Sequence, residues 1–456
     1  MGTQQWLKRW ERGRPSRGKV RDKLIVMMKI QNFNELATTD ARRALLSIAE
    51  AGYEAIDTNM VLKKEMTLDG DRLWLAGETV DLSTVGKIVF IAIGKCGVEA
   101  GAFAEALLGD RIAAGVVVDV KAGPELKHIK TFCGTHPLPS TENMHAAEAI
   151  VAALGGLTEK DLAIFVISGG GSTLLFLPED PASREEIPIM QALIAAGATI
   201  QDINTIRKHL SRARGGNLAK AAYPARVVSL IFSDVVGDEL SSIASGPTVK
   251  DQTTVEDAAA VLAKFNVLKT CNLEKCGLIE TPKEDKYFEN VSNVLVVSNR
   301  HALEGMKAAA AQLGFAAEIR GSELTGEADD VGKMIADAVR AAPPKTVLLW
   351  AGETTVTVRN ATGRGGRNLE LCASALRFVA DGEEVLSFAS DGRDHGAFAG
   401  AICDTITRKA AGAVGVDPET FRAANDTYAL FEKIGNYVMT GDTGSNVSDL
   451  IIGLKI

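Results

Sequence analysis

The sequence predicts an α/β protein of more than one domain, on three observations. Unbroken apolar runs of strand length, as at residues 88–93 and 163–167, end in glycine turns that open into helical stretches. Strands buried on both faces of a parallel sheet have this character. Strand and helix patterns then alternate along the chain, as in α/β folds. Finally, 456 residues exceed the usual size of one domain, and a polar, irregular stretch at 268–290 divides two strand–helix series.

Taken in order, residues 39–55 carry apolar side chains at helical spacing (Ala41, Leu45, Ile48, Ala49). A polar, hairpin-like region follows at 66–80. The strand at 87–93 runs into Gly94-Lys95-Cys96-Gly97 and a helix at 98–108. A lysine in a glycine turn at a strand's carboxyl end points into the crevice where open α/β sheets bind ligands. Another strand is expected at 114–120. A Pro-rich loop with His136 then leads to a helix near Glu142. The run at 163–175 passes from a buried strand into Ser168-Gly169-Gly170-Gly171-Ser172. Glycines there let backbone N–H groups face a ligand, and a helix starting near Ser172 would add its positive dipole end. Helical residues 185–196 precede a cationic stretch, Arg207, Lys208, His209, Arg212 and Arg214. A solvated helix face is the ordinary reading of such a stretch, but Gly215-Gly216 could turn Arg214 to the crevice.

The strand at 226–232 ends in Ser233-Asp234-Val235-Val236-Gly237-Asp238. Carboxylates at a strand end suit Mg²⁺, which takes few carboxylates plus phosphate oxygens. A second unit is expected from 286, with strands at 294–297, 316–319, 346–350, 355–359 and 385–389 and helices at 302–313, 329–339 and 369–378. Its loop Gly363-Arg364-Gly365-Gly366-Arg367-Asn368 sets arginines before a helix, where they suit bidentate capture of carboxylate or phosphate. Asp391 and Asp394 flank Arg393 at another strand end, placed for metal binding or general-base work. The chain closes on a glycine- and hydroxyl-rich turn, 440–448, and a last strand.

Composition limits the function. The hydrophobic fraction is 46% and the charged fraction 24%, as in an ordinary globular protein. The net charge of −8 argues against a nucleic-acid surface. None of the six cysteines forms a C-x-x-C pair, so reduced thiols and a cytoplasmic location are expected. No apolar run reaches transmembrane length, and no membrane partner is expected. The basic residues 1–37 read as an extension. Neither G-x-x-x-x-G-K-[ST] nor a clean G-x-G-x-x-G is present, so a P-loop and a dinucleotide fingerprint are missing. Strand-end loops bearing Gly with Lys, Arg, Asp or Ser fit phosphoryl transfer, which needs positioning and charge neutralisation more than covalent chemistry.

In this order the motifs Gly94-Lys95, Gly134-Thr135-His136-Pro137, Ser168–Ser172, His209-Leu210-Ser211, Ser233–Asp238, Ser245-Gly246-Pro247-Thr248, Gly352-Glu353-Thr354-Thr355-Val356, Gly365-Gly366-Arg367-Asn368, Ser390-Asp391-Gly392 and Thr443–Val447 resemble the glycerate 2-kinase family. The resemblance covers about residues 38–456. It implies a larger Rossmann-like N-terminal domain (38–285), a smaller α/β C-terminal domain of the MOFRL type (286–456), and a cleft between them. It implies ATP-dependent phosphorylation of D-glycerate at the 2-hydroxyl, with Mg²⁺ or another divalent cation, in a monomer or homodimer. The family's active-site lysine maps onto Lys95 and its arginine onto Arg367. Ser168, Gly169, Gly170, Gly171, Ser172, His136, Arg214, Arg364 and Asn368 are the candidate phosphate- and substrate-binding residues. Asp234, Asp238 and Asp391 are the candidate metal ligands. The competing expectations are a nicotinamide-dependent hydroxypyruvate reductase and a non-catalytic sugar-acid or nucleotide-binding protein.

Overall fold

The computed structural model describes residues 28–180 and 185–456. The basic stretch up to residue 27 lies outside the described residues. Three short strands, β1 (Met66–Asp69), β2 (Arg72–Leu75) and β3 (Glu78–Asp81), form an antiparallel meander where the sequence predicts a polar hairpin.

The first large sheet is wholly parallel. Its strands are β4 (Ile88–Ile93), β5 (Ile112–Asp119), β6 (Ile129–Cys133), β7 (Leu162–Ile167), β8 (Arg226–Phe232) and β9 (Val291–Val297), in the spatial order β6-β5-β4-β7-β8-β9. Every residue of β4 and β7 is buried. Along β4, Phe90 and Ala92 enter one apolar cluster while Val89, Ile91 and Ile93 enter another, so both faces are covered. Each large apolar side chain so buried contributes about 1.5–3 kcal/mol. The strand order reverses between β4 and β7, and ligands of open α/β sheets bind at such a reversal.

The second large sheet is mixed. It comprises β10 (Ala316–Leu324), β11 (Thr346–Gly352), β12 (Glu383–Ala389), β13 (Gly400–Cys403), β14 (Tyr437–Val438) and β15 (Asp449–Lys455), in the order β10-β11-β15-β12-β13-β14. Only β10 and β11 pair in parallel. Helices Asp40–Ile56 and Asn299–Gln312 cover one face, and helices such as Ala328–Ala341 and Arg367–Ala375 the other.

The expected division at residue 286 is corrected in two places. The strand assigned to the second unit is β9, which pairs with β8 and closes the first sheet, so the chain crosses over only at Asn299. The first long helix, expected in the first unit, packs on the second. Its Arg42 donates to both carboxylate oxygens of Asp404, at 2.7 and 2.8 Å, in a buried pair. Its Tyr53 hydroxyl donates to the Ala389 carbonyl at 3.0 Å. The strand expected at 355–359 is also absent. One bridge joins Glu327 to Thr355, and the Glu327 carboxylate takes the remaining donors of Thr355 and Thr357.

A helical cap, Glu186–Ala195, Ile200–His209, Val255–Lys264 and Val267–Thr270, encloses its own apolar cluster. The buried Lys208–Asp251 pair, at 2.6 Å, fixes it. No helix is long and apolar enough to cross a membrane among the described residues.

At the start of β12, Glu384 is buried and its Oε2 has no hydrogen-bond partner among the described residues. Burial, then Asp404, push its carboxyl up to about 7, with Arg42 opposing. The folded protein therefore keeps a proton that the unfolded chain, titrating near 4.5, releases. That stabilisation is complete below the unfolded value and is lost as pH rises through about 7. Glu384→Gln is expected to raise stability at pH 8 by on the order of 2 kcal/mol and to leave it unchanged at pH 4, read by urea denaturation at both pH values.

Candidate active site

Two loops interlock at the strand-order reversal. Ser168 N–H donates to the Ile93 carbonyl at 2.8 Å, and Lys95 N–H donates to the Gly169 carbonyl at 3.0 Å. The Cys96 N–H donates to Ser168 Oγ at 3.3 Å. Gly170 adopts φ 84°, a left-handed value that suits glycine. The Lys95 and His136 side chains both lie against it: a Cβ there would stand 3.5 Å from Lys95 Cγ and 3.7 Å from His136 Cδ2. A Cβ on Gly169 would collide with the carboxylate of Asp234. The glycines thus form a bare floor with Lys95, His136 and Asp234 around it.

The amides of Gly169, Gly170 and Ser172 donate to no protein acceptor among the described residues. The helix that follows is a single turn, Gly171–Leu174. The helix-dipole contribution expected from sequence is therefore small, and the loop offers its amides instead. Beneath it, Ala244, Ser245 and Gly246 all have left-handed φ, at 51°, 58° and 57°. Ser245 Oγ donates to Ser172 Oγ at 2.9 Å, so this strained turn braces the loop.

The second domain supplies the facing wall. Arg367 opens the helix Arg367–Ala375 and lies between two carboxylates, with Nε 3.0 Å from Asp449 and Nη1 3.2 Å from Glu353. Burial pushes the Asp449 carboxyl up to about 7, with Arg367 opposing and Asp394 adding to the rise. Asp234, across the cleft on the first domain, is also raised: burial dominates, Lys95 opposes, and Glu353 adds to the rise. Asp234 therefore senses Lys95 of its own domain and Glu353 of the other. A small cavity is lined from both sides, by Lys95, Ser168 and Gly169 and by Gly444, Ser445 and Asn446.

Several sequence-predicted residues lie elsewhere. Arg214 is fully buried, gives both ends of its guanidinium to Glu186 at 2.8 and 3.0 Å, and has no surface to offer a ligand. Asn368 is buried, its amide spent on Asp394 and Asp449 and its oxygen accepting from Ser387. Arg364 turns outward, over the Tyr428 ring at 4.8 Å and toward Glu432. Asp394 accepts the N–H groups of Asn368 and Leu369, at 3.2 and 2.8 Å, and so caps the Arg367 helix instead of facing the cleft as a base.

Asp234, Asp238 and Asp391 do not converge: among the described residues no three acidic, histidine or cysteine side chains gather at metal-binding separation. Asp391 turns back on its own loop, accepting from Arg393 N–H at 3.0 Å. Glu353, Asp449 and Arg207 were missed as site residues. Glu353 had a sequence signal, as an acid at the end of an apolar strand, and Arg207 stood in the cationic stretch read as a solvated face.

The domain of unknown function DUF4147 matches residues 44–275, and the MOFRL family matches residues 346–449. A glycerate 2-kinase of Pyrococcus horikoshii is 36% identical over 91% of this chain and 97% of its own length. A protein of Agrobacterium vitis that carries a hydroxypyruvate reductase name is 38% identical over 80% of this chain and 86% of its own. The crystal structure of glycerate kinase from Thermotoga maritima superposes with a TM-score of 0.79 at 34% identity, covering 91% of this chain and 99% of that one. With two α/β domains that share the lining of a cavity at the strand-order reversal, and matched over 91% of its length by a glycerate 2-kinase and by a glycerate kinase structure, the chain belongs to the glycerate 2-kinase family.

Proposed function

We propose that the chain transfers the γ-phosphoryl group of ATP to the 2-hydroxyl of D-glycerate, giving 2-phosphoglycerate and ADP. The observation that carries this is the small cavity that Lys95, Ser168 and Gly169 of one domain line together with Gly444, Ser445 and Asn446 of the other. In the reaction the substrate oxygen bonds to the γ-phosphorus, the bond to the β–γ bridging oxygen breaks, and the hydroxyl proton leaves to a base. Charge on the passing phosphoryl group is neutralised by Lys95 from one side and Arg367 from the other. The free amides of Gly169, Gly170 and Ser172 hold nucleotide phosphate.

Mg²⁺ fits the donor set without a three-residue cage, because it takes one or two carboxylates and fills its remaining positions with phosphate oxygens and water. Asp234 and Glu353 are the pair we assign to it, in place of Asp238 and Asp391: Glu353 adds to the rise of the Asp234 carboxyl, and a cation would relieve it. When bound, the ion neutralises phosphate charge. The free thiols of all six cysteines fit a reducing compartment such as the cytoplasm.

The test supplies the purified chain with ATP, Mg²⁺ and D-glycerate. The product's phosphorus resonance is expected to be split into a doublet by the single proton on C2. A triplet would place the phosphate on the 3-hydroxyl, and no ADP would contradict the reading. EDTA is expected to abolish turnover and Mg²⁺ to restore it. Hydroxypyruvate with NADH is expected to give no oxidation. The β4 turn carries Cys96, with a buried side chain, where a dinucleotide fingerprint needs its second glycine for the pyrophosphate.

A further inference from the structure

We propose that Arg207, with Lys95 and His136, forms an anion-binding corner that takes one anionic oxygen group of the substrates, either the carboxylate of the sugar acid or a phosphate of the nucleotide. This rests on the kinase reading above and adds a recognition residue to it. Arg207 is on the cap, in the last turn of the helix Ile200–His209.

Its guanidinium makes no ion pair among the described residues. The nearby carboxylate, Glu186, is already taken at both oxygens by Arg214. Arg214 also donates to the Arg207 carbonyl at 3.1 Å, so the buried pair holds that turn of helix in place while leaving the Arg207 head unused. The Arg207 Nε is itself buried without a hydrogen-bond partner.

Lys95 and His136 likewise form no ion pair among the described residues, although both lie against Gly170. The end of the Arg207 helix is pinned to the segment that follows the glycine loop: Ser211 Oγ donates to the Leu175 carbonyl at 2.5 Å and Arg212 N–H to the Leu177 carbonyl at 2.8 Å. The His136 ring is held below its usual value by burial, then by Lys95, then by Arg207. Burial and Arg214 lower Arg207 in turn, with Glu186 opposing. Positive charge is thus gathered beside a floor of unused amides, with Asp234 on the Gly169 side and no carboxylate paired to Lys95, His136 or Arg207 among the described residues. A planar guanidinium left without a carboxylate partner suits a carboxylate or phosphate ligand, which accepts two parallel hydrogen bonds from it.

The test uses the full chain with Arg207→Ala, Arg207→Gln and Arg207→Lys. KM is measured for D-glycerate and for ATP, and calorimetry measures binding of D-glycerate and of inorganic tripolyphosphate without turnover. Loss of a charge-assisted contact is expected to weaken one ligand by about tenfold or more, with the other within about twofold and with partial recovery in Arg207→Lys. Weakening of D-glycerate identifies the carboxylate; weakening of ATP and tripolyphosphate identifies the phosphate. Arg207→Gln keeps the length of the side chain, so that a folding defect in the alanine variant does not decide the outcome. Unchanged binding of both ligands in a folded variant would overturn the proposal. A parent chain that binds tripolyphosphate through Arg207 but does not phosphorylate glycerate would overturn the kinase reading and leave the corner standing.

Discussion

Lys95→Ala is expected to lower kcat by on the order of 10³-fold, because a cation aimed at the transferring phosphoryl group stabilises the transition state more than bound ATP. The Lys95 side chain crosses the Gly170 floor and makes no ion pair among the described residues. Its removal strips charge from the cleft and leaves the buried Asp234 without the cation that opposes its rise, but it breaks no direct ion pair among the described residues, and the thermal midpoint should stay within a few degrees of the parent. Arg367→Ala is expected to lose a similar factor, but with a stability cost, because Arg367 offsets the burial of Asp449. Arg367→Lys should recover the stability more than the rate, since lysine supplies charge without the planar fork. Single-turnover kinetics beside a thermal melt separate the two contributions. Near-parental turnover in either alanine variant would remove that residue from the chemistry.

Arg214→Ala is expected to act in the opposite way, costing about 3–5 kcal/mol of stability by leaving Glu186 buried and unpaired. Both side chains are buried, and the bidentate geometry leaves no oxygen of Glu186 for another partner. The check is urea denaturation of Arg214→Ala against the double variant with Glu186→Gln. The double variant should recover part of the loss, because the uncompensated charge is gone. If Arg214→Ala instead kept its stability and lost only affinity for a substrate, Arg214 would be the ligand contact that its place in the sequence suggests.

Arg214 and Arg207 illustrate which parts of the site can be read from sequence. Both stand in one cationic stretch before Gly215-Gly216, and local pattern does not separate them. What separates them is Glu186, a carboxylate 28 residues before Arg214, brought alongside by the packing of the cap. Asn368 was assigned to the ligand for the same reason. Its amide is used up by Asp394, 26 residues later, and by Asp449, 81 residues later.

The elements themselves were more legible. β4, β7 and β8 are buried almost throughout, so their apolar runs are unbroken and their ends are marked by glycine or by polar residues. The sheet that a strand joins is not written in its own residues. β9 looks like the start of a second unit because a polar excursion of the chain precedes it, yet its hydrogen-bond partners are in β8. The long helix at the start of the described chain has the amphipathic spacing of a helix, but the surface it covers is fixed by Arg42 reaching Asp404, 362 residues away. Lys95 and Arg367 were marked by their glycine turns and given their roles by the family resemblance, and the three metal candidates do not form one cluster because two strand-end loops need not converge.

Crystals of the full chain grown with ADP, D-glycerate, Mg²⁺ and aluminium fluoride would capture a mimic of the phosphoryl group in flight. The expected density places the fluoride anion within about 3.2 Å of both the Lys95 Nζ and the Arg367 guanidinium, with Arg367 drawn from Glu353 toward it. An anion held by one of these side chains while the other stays beyond hydrogen-bond reach would contradict joint neutralisation by the two domains.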